Sequence, residues 1–270
     1  MCADKDYHLT VKPKAGRIKV FGERHTGTRA VIQMLYLQEC RAQDMAPSTT
    51  DGPVFRHKKR WKKGFDRELF KDAMEDIRRW NDGGVSAWKH AAPIIDGSYA
   101  KKKTPVIFIV RDPYSWIVSF YRKPYHARSG PFPTLEAFLQ HPWQTVQRDN
   151  VAPVLLSPMM LWNEKLRAYR RFIEAAPVPA TVLYFEDFVQ NPVASLGAAM
   201  ERLGVDSAGL KAVDQPTKSW GLSEADRVAY YKSEAWAAKI SPTSAALINR
   251  YLDWGVAGYF GYSQRSPLAF

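Results

Sequence analysis

The sequence predicts an α/β fold of three layers, with a mainly parallel central sheet between two sets of helices. Three observations carry that expectation. Val106 to Val110 is an unbroken apolar run of strand length, as in a parallel strand covered on both faces. Runs of this kind alternate along the chain with stretches of helical periodicity. The 270 residues suffice for one large domain with a buried core, so the reading is a single domain over 1–270, with 1–16 as an N-terminal extension.

Taken in order, Arg17 to Gly22 reads as a buried strand entering a glycine loop. "TRAVIQMLYLQEC" follows as a helix with Val31, Met34, Leu35 and Gln38 along one side. Arg41 to Lys63 reads as a loop with a basic run. "FDRELFKDAMEDIRRW" is an amphipathic helix whose apolar face is Phe65, Leu69, Ala73, Ile77 and Trp80. "GVSAWKH" reads as a short strand after a Gly-Gly break. "TPVIFIVRDP" is the clearest strand, and the helix "YSWIVSFYR" follows it. "PATVLYFEDF" repeats the pattern of an apolar strand ending in acidic residues. Ser241 and Pro242 mark the cap and first residue of a late helix with Leu247, Ile248, Tyr251 and Leu252 on its apolar face.

Composition narrows the function classes. Lys and Arg exceed Asp and Glu by 12 (39 − 27), a balance that attracts polyanions or a polyanionic cofactor. Two cysteines, Cys2 and Cys40, are too few for a disulfide framework or a zinc site, so a reducing compartment is the default. The charged start "MCADKDYHLTVKPK" lacks the apolar core of a signal peptide, and no apolar run is long enough to cross a membrane. The expected location is therefore cytoplasmic.

The loop "FGERHTGTRAV" has the outline of a phosphate-binding loop: a strand, Gly22, four residues, Gly27, then a helix. Such a unit presents unpaired backbone N–H groups and the positive end of a helix dipole. Gly27 admits close backbone approach, and the Thr26 and Thr28 hydroxyls can donate to oxygens. A nucleotide triphosphatase needs a Lys and then a Ser or Thr after the second glycine. Here Thr28 and Arg29 follow instead, so the loop suits phosphate without suiting Mg·ATP. Arg111 closes a later strand and Ser119 follows eight residues on, together forming a second anion site. Ligands of such sheets bind at the carboxyl ends of strands, where Gly22, His90, Arg111 and Glu186 all fall.

These residues resemble the sulfotransferases that use 3′-phosphoadenosine 5′-phosphosulfate (PAPS), a family with a P-loop-like fold. "RDPYSWIVSFYR" matches the family unit R-[DN]-P-x-x-x-x-x-S, whose Arg and Ser bind the donor's 3′-phosphate. "GERHTGTRAVIQML" is similar to the glycine loop of the heparan-type glucosaminyl enzymes, G-x-R-K-x-G-T-R-A, which binds the 5′-phosphosulfate. "LYFEDF" followed by "NP" resembles the family strand ending in Tyr-Glu-Asp, and "GYFGY" resembles the ending of bacterial members. The matched elements run from about residue 18 to the C-terminus. The resemblance implies PAPS as donor, 3′,5′-adenosine bisphosphate (PAP) as product and no metal. It implies a donor site of Arg24, His25, Thr26, Gly27, Thr28, Arg29, Arg111 and Ser119, with Phe185 at the position near adenine and Lys232 as stand-in for a downstream 3′-phosphate clamp. "WKHAAP" resembles the K-T-H-x-P of cytosolic members, which makes His90 the base and Lys89 the second choice.

The chain departs from the family at the catalytic Lys of the loop, where His25 stands with Arg24 beside it, so either of them supplies that charge or another cation reaches in. The leading expectation is sulfuryl transfer to an acceptor hydroxyl or amine. The glucosaminyl-type loop tilts the acceptor toward a carbohydrate, with lipid headgroups, phenols and small alcohols left open. Two alternatives remain: a nucleotide or small-molecule kinase on the same fold, and a non-catalytic basic protein that binds nucleic acid or anionic glycan. The basic run "HKKRWKKGF" keeps the last in view, although nucleic acid is the less favoured partner. Trp88 and Trp116 read as core residues, and Glu186 and Asp187 as structural ones that bond backbone groups.

Overall fold

The computed structural model describes residues 15–38, 40–43, 67–82, 88–95, 97–213 and 223–270. The first half runs β1 (Ala15–Gly22), α1 (Thr28–Leu37), β2 (Cys40–Gln43), α2 (Arg67–Asp82), α3 (Gly97–Lys102), β3 (Val106–Val110) and α4 (Pro113–Arg122). The second half runs α5 (Leu135–Gln140), β4 (Trp143–Gln144), β5 (Val154–Leu155), α6 (Met159–Ala175), β6 (Ala180–Tyr184), α7 (Phe185–Gln190), α8 (Pro192–Arg202), α9 (Glu224–Lys232), α10 (Pro242–Tyr251) and α11 (Trp254–Tyr259). The main sheet has the order β2-β1-β3-β6, and all three of its strand pairs are parallel. β4 and β5 form a separate antiparallel pair.

β3 explains the layering. All five of its residues are buried, and period-two alternation sends them to two cores. Val106, Phe108 and Val110 join Trp116, Ile117 and Phe120 of α4 and Leu161, Leu166, Tyr169 and Phe172 of α6. Ile107 and Ile109 join Val31, Met34 and Leu35 of α1 and Leu196, Ala199 and Met200 of α8. Helices therefore cover both faces of the sheet, as a continuous apolar strand requires. Local signals fix the helix starts. Asp112 caps α4 by accepting from the Ser115 amide at 2.7 Å, with Pro113 as the first helical residue. Ser241 caps α10 in the same way through the Ser244 amide at 3.0 Å.

Three sequence expectations change. Cys40, read as the end of the first helix, and Arg41–Gln43, read as the start of a loop, form strand β2, four residues whose alternation is too short to stand out. In α2 the expected apolar face is turned outward at Leu69, which is exposed. The buried side carries Asp72, Met74 and Glu75 instead, because Asp72 pairs with Arg148. Trp88–His90 is a turn rather than a strand, joined to β1 by the Gly22 amide donating to the Lys89 carbonyl at 3.0 Å. The rest of "GVSAWKH", the basic run His57 to Phe65 and the N-terminal extension lie outside the described residues, apart from β1's first two residues. Among the described residues no helix is long and apolar enough to cross a membrane.

Candidate functional site

The strand order creates a switch point. From β1 the chain goes to one side to form β2, and β3 then lies on β1's other side. Ligands of open parallel sheets bind at such a crevice, beyond the carboxyl ends of the strands. Gly22 of β1 is in register with Ile109 of β3, so the glycine loop and Arg111 emerge side by side.

The loop is a tight turn. The Thr26 hydroxyl donates to the Glu23 carbonyl at 2.6 Å, and the Thr26 amide donates to the same oxygen at 3.2 Å. This brings Thr26 over Gly22, where an added Cβ would lie 2.6 Å from Thr26 Oγ1 and 2.7 Å from Thr28 Cγ2. Only glycine fits there. His25 and Gly27 both adopt left-handed backbone, with φ of 66° and 79°. Alternating hand of this kind turns successive amides toward one side and makes an anion-binding concavity. Gly27 caps α1 without a side-chain partner, and the Gly27 and Thr28 amides bond no group among the described residues. The loop therefore keeps helix N-terminal donors open, as the sequence predicts for a phosphate site.

Arg111 sits against this loop and is only 1% exposed. Its Nε donates to Ser115 Oγ at 2.9 Å, Nη1 to the His25 carbonyl at 2.6 Å, and Nη2 to the Ser115 carbonyl at 2.8 Å and Ser119 Oγ at 2.9 Å. Arg111 and Ser119, expected to meet a common anion, bond each other directly. Four of the five guanidinium N–H groups are used, and every acceptor is neutral. Asp112, its sequence neighbour, caps α4 and faces Arg265 at 3.6 Å instead. Among the described residues Arg111 has no ion pair. Its compensation comes from the rings of Phe185 and Tyr231, whose centroids lie 4.3 and 5.0 Å from the guanidinium carbon.

Arg24 differs from expectation. It does not face the phosphate side of the loop but points inward, 3% exposed, onto Asp149 at 3.0 and 3.2 Å and Glu23 at 2.7 Å. Lys165 of α6, wholly buried, completes a group of four charges that sums to zero, lying 3.0 Å from Asp149 Oδ1 and 3.8 Å from Glu23. Burial pushes the Asp149 carboxyl up, but Arg24 and Lys165 outweigh it and hold the group well below the usual carboxylate range. Burial likewise lowers Arg24, and here Asp149 and Glu23 outweigh it and keep the guanidinium firmly charged. Nη1 and Nη2 of Arg24 are thus spent on buried carboxylates, and its Nε is buried with no partner, so its charge is directed into the protein. Its carbonyl accepts from Trp116 Nε1 at 2.9 Å, which makes Trp116 a core residue, as read.

His90 stands across the loop from Arg111. Its Nδ1 lies 2.6 Å from the Gly22 carbonyl, which can only accept, so Nδ1 carries the proton. Nε2 is then the free lone pair of a neutral imidazole. Burial, then Lys89 and Arg24, push its pKa well below 6.5. A half-buried imidazole held neutral with one tautomer fixed is suited to taking a proton. The ring packs edge-on against Trp88 at 4.9 Å, and Trp88 is itself core, between the guanidinium carbons of Arg24 at 4.9 Å and Arg148 at 4.6 Å.

The remaining candidates divide. Phe185 lies beside Gly27, with its ring centroid 4.3 Å from the Arg111 guanidinium carbon. Thr26 and Thr28 are buried in the loop, Arg29 is exposed, and Lys89 is half-buried beside His90. The His25 ring packs at the end of α4, with Nε2 3.0 Å from the Lys123 carbonyl and its ring 5.2 Å from Tyr125. Its backbone carbonyl, not its imidazole, meets Arg111. Lys232 is exposed at the end of α9, and the residue of that helix reaching Arg111 is its neighbour Tyr231. Glu186 is structural as read, accepting from the Asp112 amide at 2.9 Å and the Tyr262 hydroxyl at 3.2 Å. Sequence reasoning missed Tyr231, Asp149 and Lys165. A signal existed for Lys165, which follows Leu161 and precedes Tyr169 by four residues each and so lies on the buried stripe of α6. Among the described residues no group of three or more His, Cys, Asp or Glu is placed to hold a metal. No protein-family model matches the chain, and comparison with curated protein sequences returns no match.

Proposed function

We propose that the protein is a sulfotransferase that moves a sulfuryl group from PAPS to an acceptor hydroxyl or amine, on a P-loop-like sulfotransferase fold. The observation that carries this reading is Arg111, a buried cation with only neutral partners beside a helix N-terminus with open amides. Asp112 and Glu186 act on Arg111 only through space and make no ion pair with it, and an anionic ligand would meet the guanidinium directly. The donor fits these residues: the amides of Gly27 and Thr28 for its 5′ end, Arg111 and Ser119 for its 3′-phosphate, and Phe185 for its base. When bound it supplies an activated sulfuryl group.

The chain's own residues do the rest. His90 Nε2 takes the proton from the acceptor while Nδ1 stays bonded to the Gly22 carbonyl. The loop amides and the dipole of α1 stabilise charge as it grows near the N-terminus of that helix. These donors are fixed in advance by the Thr26 turn and the Gly22 contact, so little reorganisation is needed. The test is release of PAP from PAPS in the presence of pooled sugars, phenols and amines. Release that depends on an acceptor and is lost in His90→Asn supports the reading. Acceptor-dependent turnover of Mg·ATP without turnover of PAPS returns the site to the kinases.

A further inference from the structure

We infer that Lys165 is a positioning residue for His90, clamping the turn that aims the imidazole. The inference rests on the assignment of His90 as the base. Its ammonium is fully buried and donates to the His90 carbonyl at 2.6 Å, to the Asp149 carbonyl at 2.6 Å and to Asp149 Oδ1 at 3.0 Å. Three acceptors match the three N–H groups of an ammonium, so its direction is fully determined. The ends of the turn are held separately, by the Trp88 amide donating to Glu75 Oε1 and by Asn150 Nδ2 donating to the Ala92 carbonyl at 2.9 Å. Its backbone bonds are the Gly22 amide to the Lys89 carbonyl, the Ala91 amide to the Trp88 carbonyl, and the Ala92 amide to the Asp149 carbonyl. Asp149 also takes Arg24 from the glycine loop, so one buried junction ties the base turn and the loop to the same two side chains.

The chemistry explains why a buried lysine serves here. An ammonium in this interior requires opposite charge and complete hydrogen bonding, and Asp149 with the two carbonyls provides both. Such a junction resists displacement in a way that a lone backbone bond to Gly22 does not. The charged groups facing His90 are Lys89 on its own turn, Arg24 of the loop, Asp149 of the turn Gln147–Asp149, and Lys165 of α6. Removing Lys165 frees the carbonyl, lets the ring leave the Gly22 oxygen, and takes away a nearby cation. An imidazole freed in this way samples both tautomers rather than the one fixed by the Gly22 carbonyl.

The test is nuclear magnetic resonance of the histidine side-chain nitrogens in isotope-labelled full-length protein, with His90 assigned by its loss in His90→Gln. Wild type shows a single tautomer with the proton on Nδ1 and no titration near pH 6.5. Lys165→Met shows a mixture of Nδ1 and Nε2 tautomers, a change that a purely structural role would not produce in a folded variant. Lys165→Arg restores part of the wild-type tautomer ratio. If Lys165→Met does not fold, the charge-neutral pair Lys165→Met with Asp149→Asn carries the same readout. A folded variant whose His90 tautomer ratio matches wild type overturns the inference. PAP is titrated into each protein as a separate arm. Affinity within about threefold of wild type is expected in Lys165→Met, equivalent to less than about 0.7 kcal/mol. Failure of wild type to bind PAP sinks the donor reading while the tautomer data still decide the role of Lys165.

Discussion

Replacing Arg111 by Lys tests whether one side chain joins the glycine loop to the second anion site. The guanidinium reaches four acceptor atoms on His25, Ser115 and Ser119, and its carbon lies 4.3 Å from the Phe185 ring and 5.0 Å from the Tyr231 ring. A lysine offers three N–H groups on a single atom and cannot span acceptors at both ends of that fork. At least two bonds are lost. Hydrogen bonds to charged groups contribute about 1.5–3 kcal/mol each, and local rearrangement recovers part of this, so the expected loss of stability is about 3 kcal/mol. Urea unfolding measures it directly, with an unchanged denaturant slope showing that the native state is still compact. A loss below about 1 kcal/mol, within the range of an ordinary surface change, would mean that the fork is not formed in solution and refute the argument.

Gly22→Ala is expected to cost about 1–3 kcal/mol and to weaken PAP binding, because its Cβ meets Thr26 Oγ1 at 2.6 Å and β3 at Ile109 at 3.0 Å; thermal melting and titration check it. Hydrogen bonds from Ser241 and Ser244 hold the Glu136 carboxyl at about 2, and Glu68, although raised by burial, is brought to about 2 by Lys71 and Arg148. Depressed carboxylates stabilise the fold above their unfolded values, so stability is lost as pH falls from about 4.5 toward about 2, and Glu136→Gln flattens that limb of an acid titration. His90 is neutral at and above pH 6.5, so the transfer rate is flat from about pH 6.5 to 8 apart from acceptor ionisation, and His90→Asn abolishes it with PAP affinity retained. The Arg265–Glu234 pair, at 2.7 Å twice but with Glu234 on the surface, is expected to contribute less than about 1 kcal/mol, measured by a double-mutant cycle.

The elements that frame the site were legible because their signals are local. β1, the glycine loop and α1 follow from an apolar run, two glycines and a helical stripe. β3 and α4 follow from five apolar residues, Asp112 as cap and Pro113 as first helical residue. The Arg111–Ser119 bond is also local, eight residues apart within one strand–helix unit. What the sequence hid is long-range or rotational. Arg24 meets Asp149 across 125 positions, and nothing near "GERH" shows that its charge is taken inside. Lys232 and Tyr231 differ by one residue, but one residue turns a helix by about 100°, and that moves the contact with Arg111 from a cation to a ring. β2 was hidden because Cys40-Arg41-Ala42-Gln43 alternates over only four residues, with small apolar side chains, at the end of a helical pattern. In α2 the buried Asp72 defeats the rule that the apolar stripe faces inward.

The central claim is that the loop and Arg111 together hold a ligand with two separated phosphate groups. Isothermal titration with PAP, without metal, tests it most directly, using wild type and the folded variant Ser119→Ala. The account predicts micromolar or tighter binding by wild type, at least tenfold weakening in Ser119→Ala, and no competition from Mg·ATP. Absence of PAP binding in folded wild type, or Mg·ATP binding in its place, would contradict it.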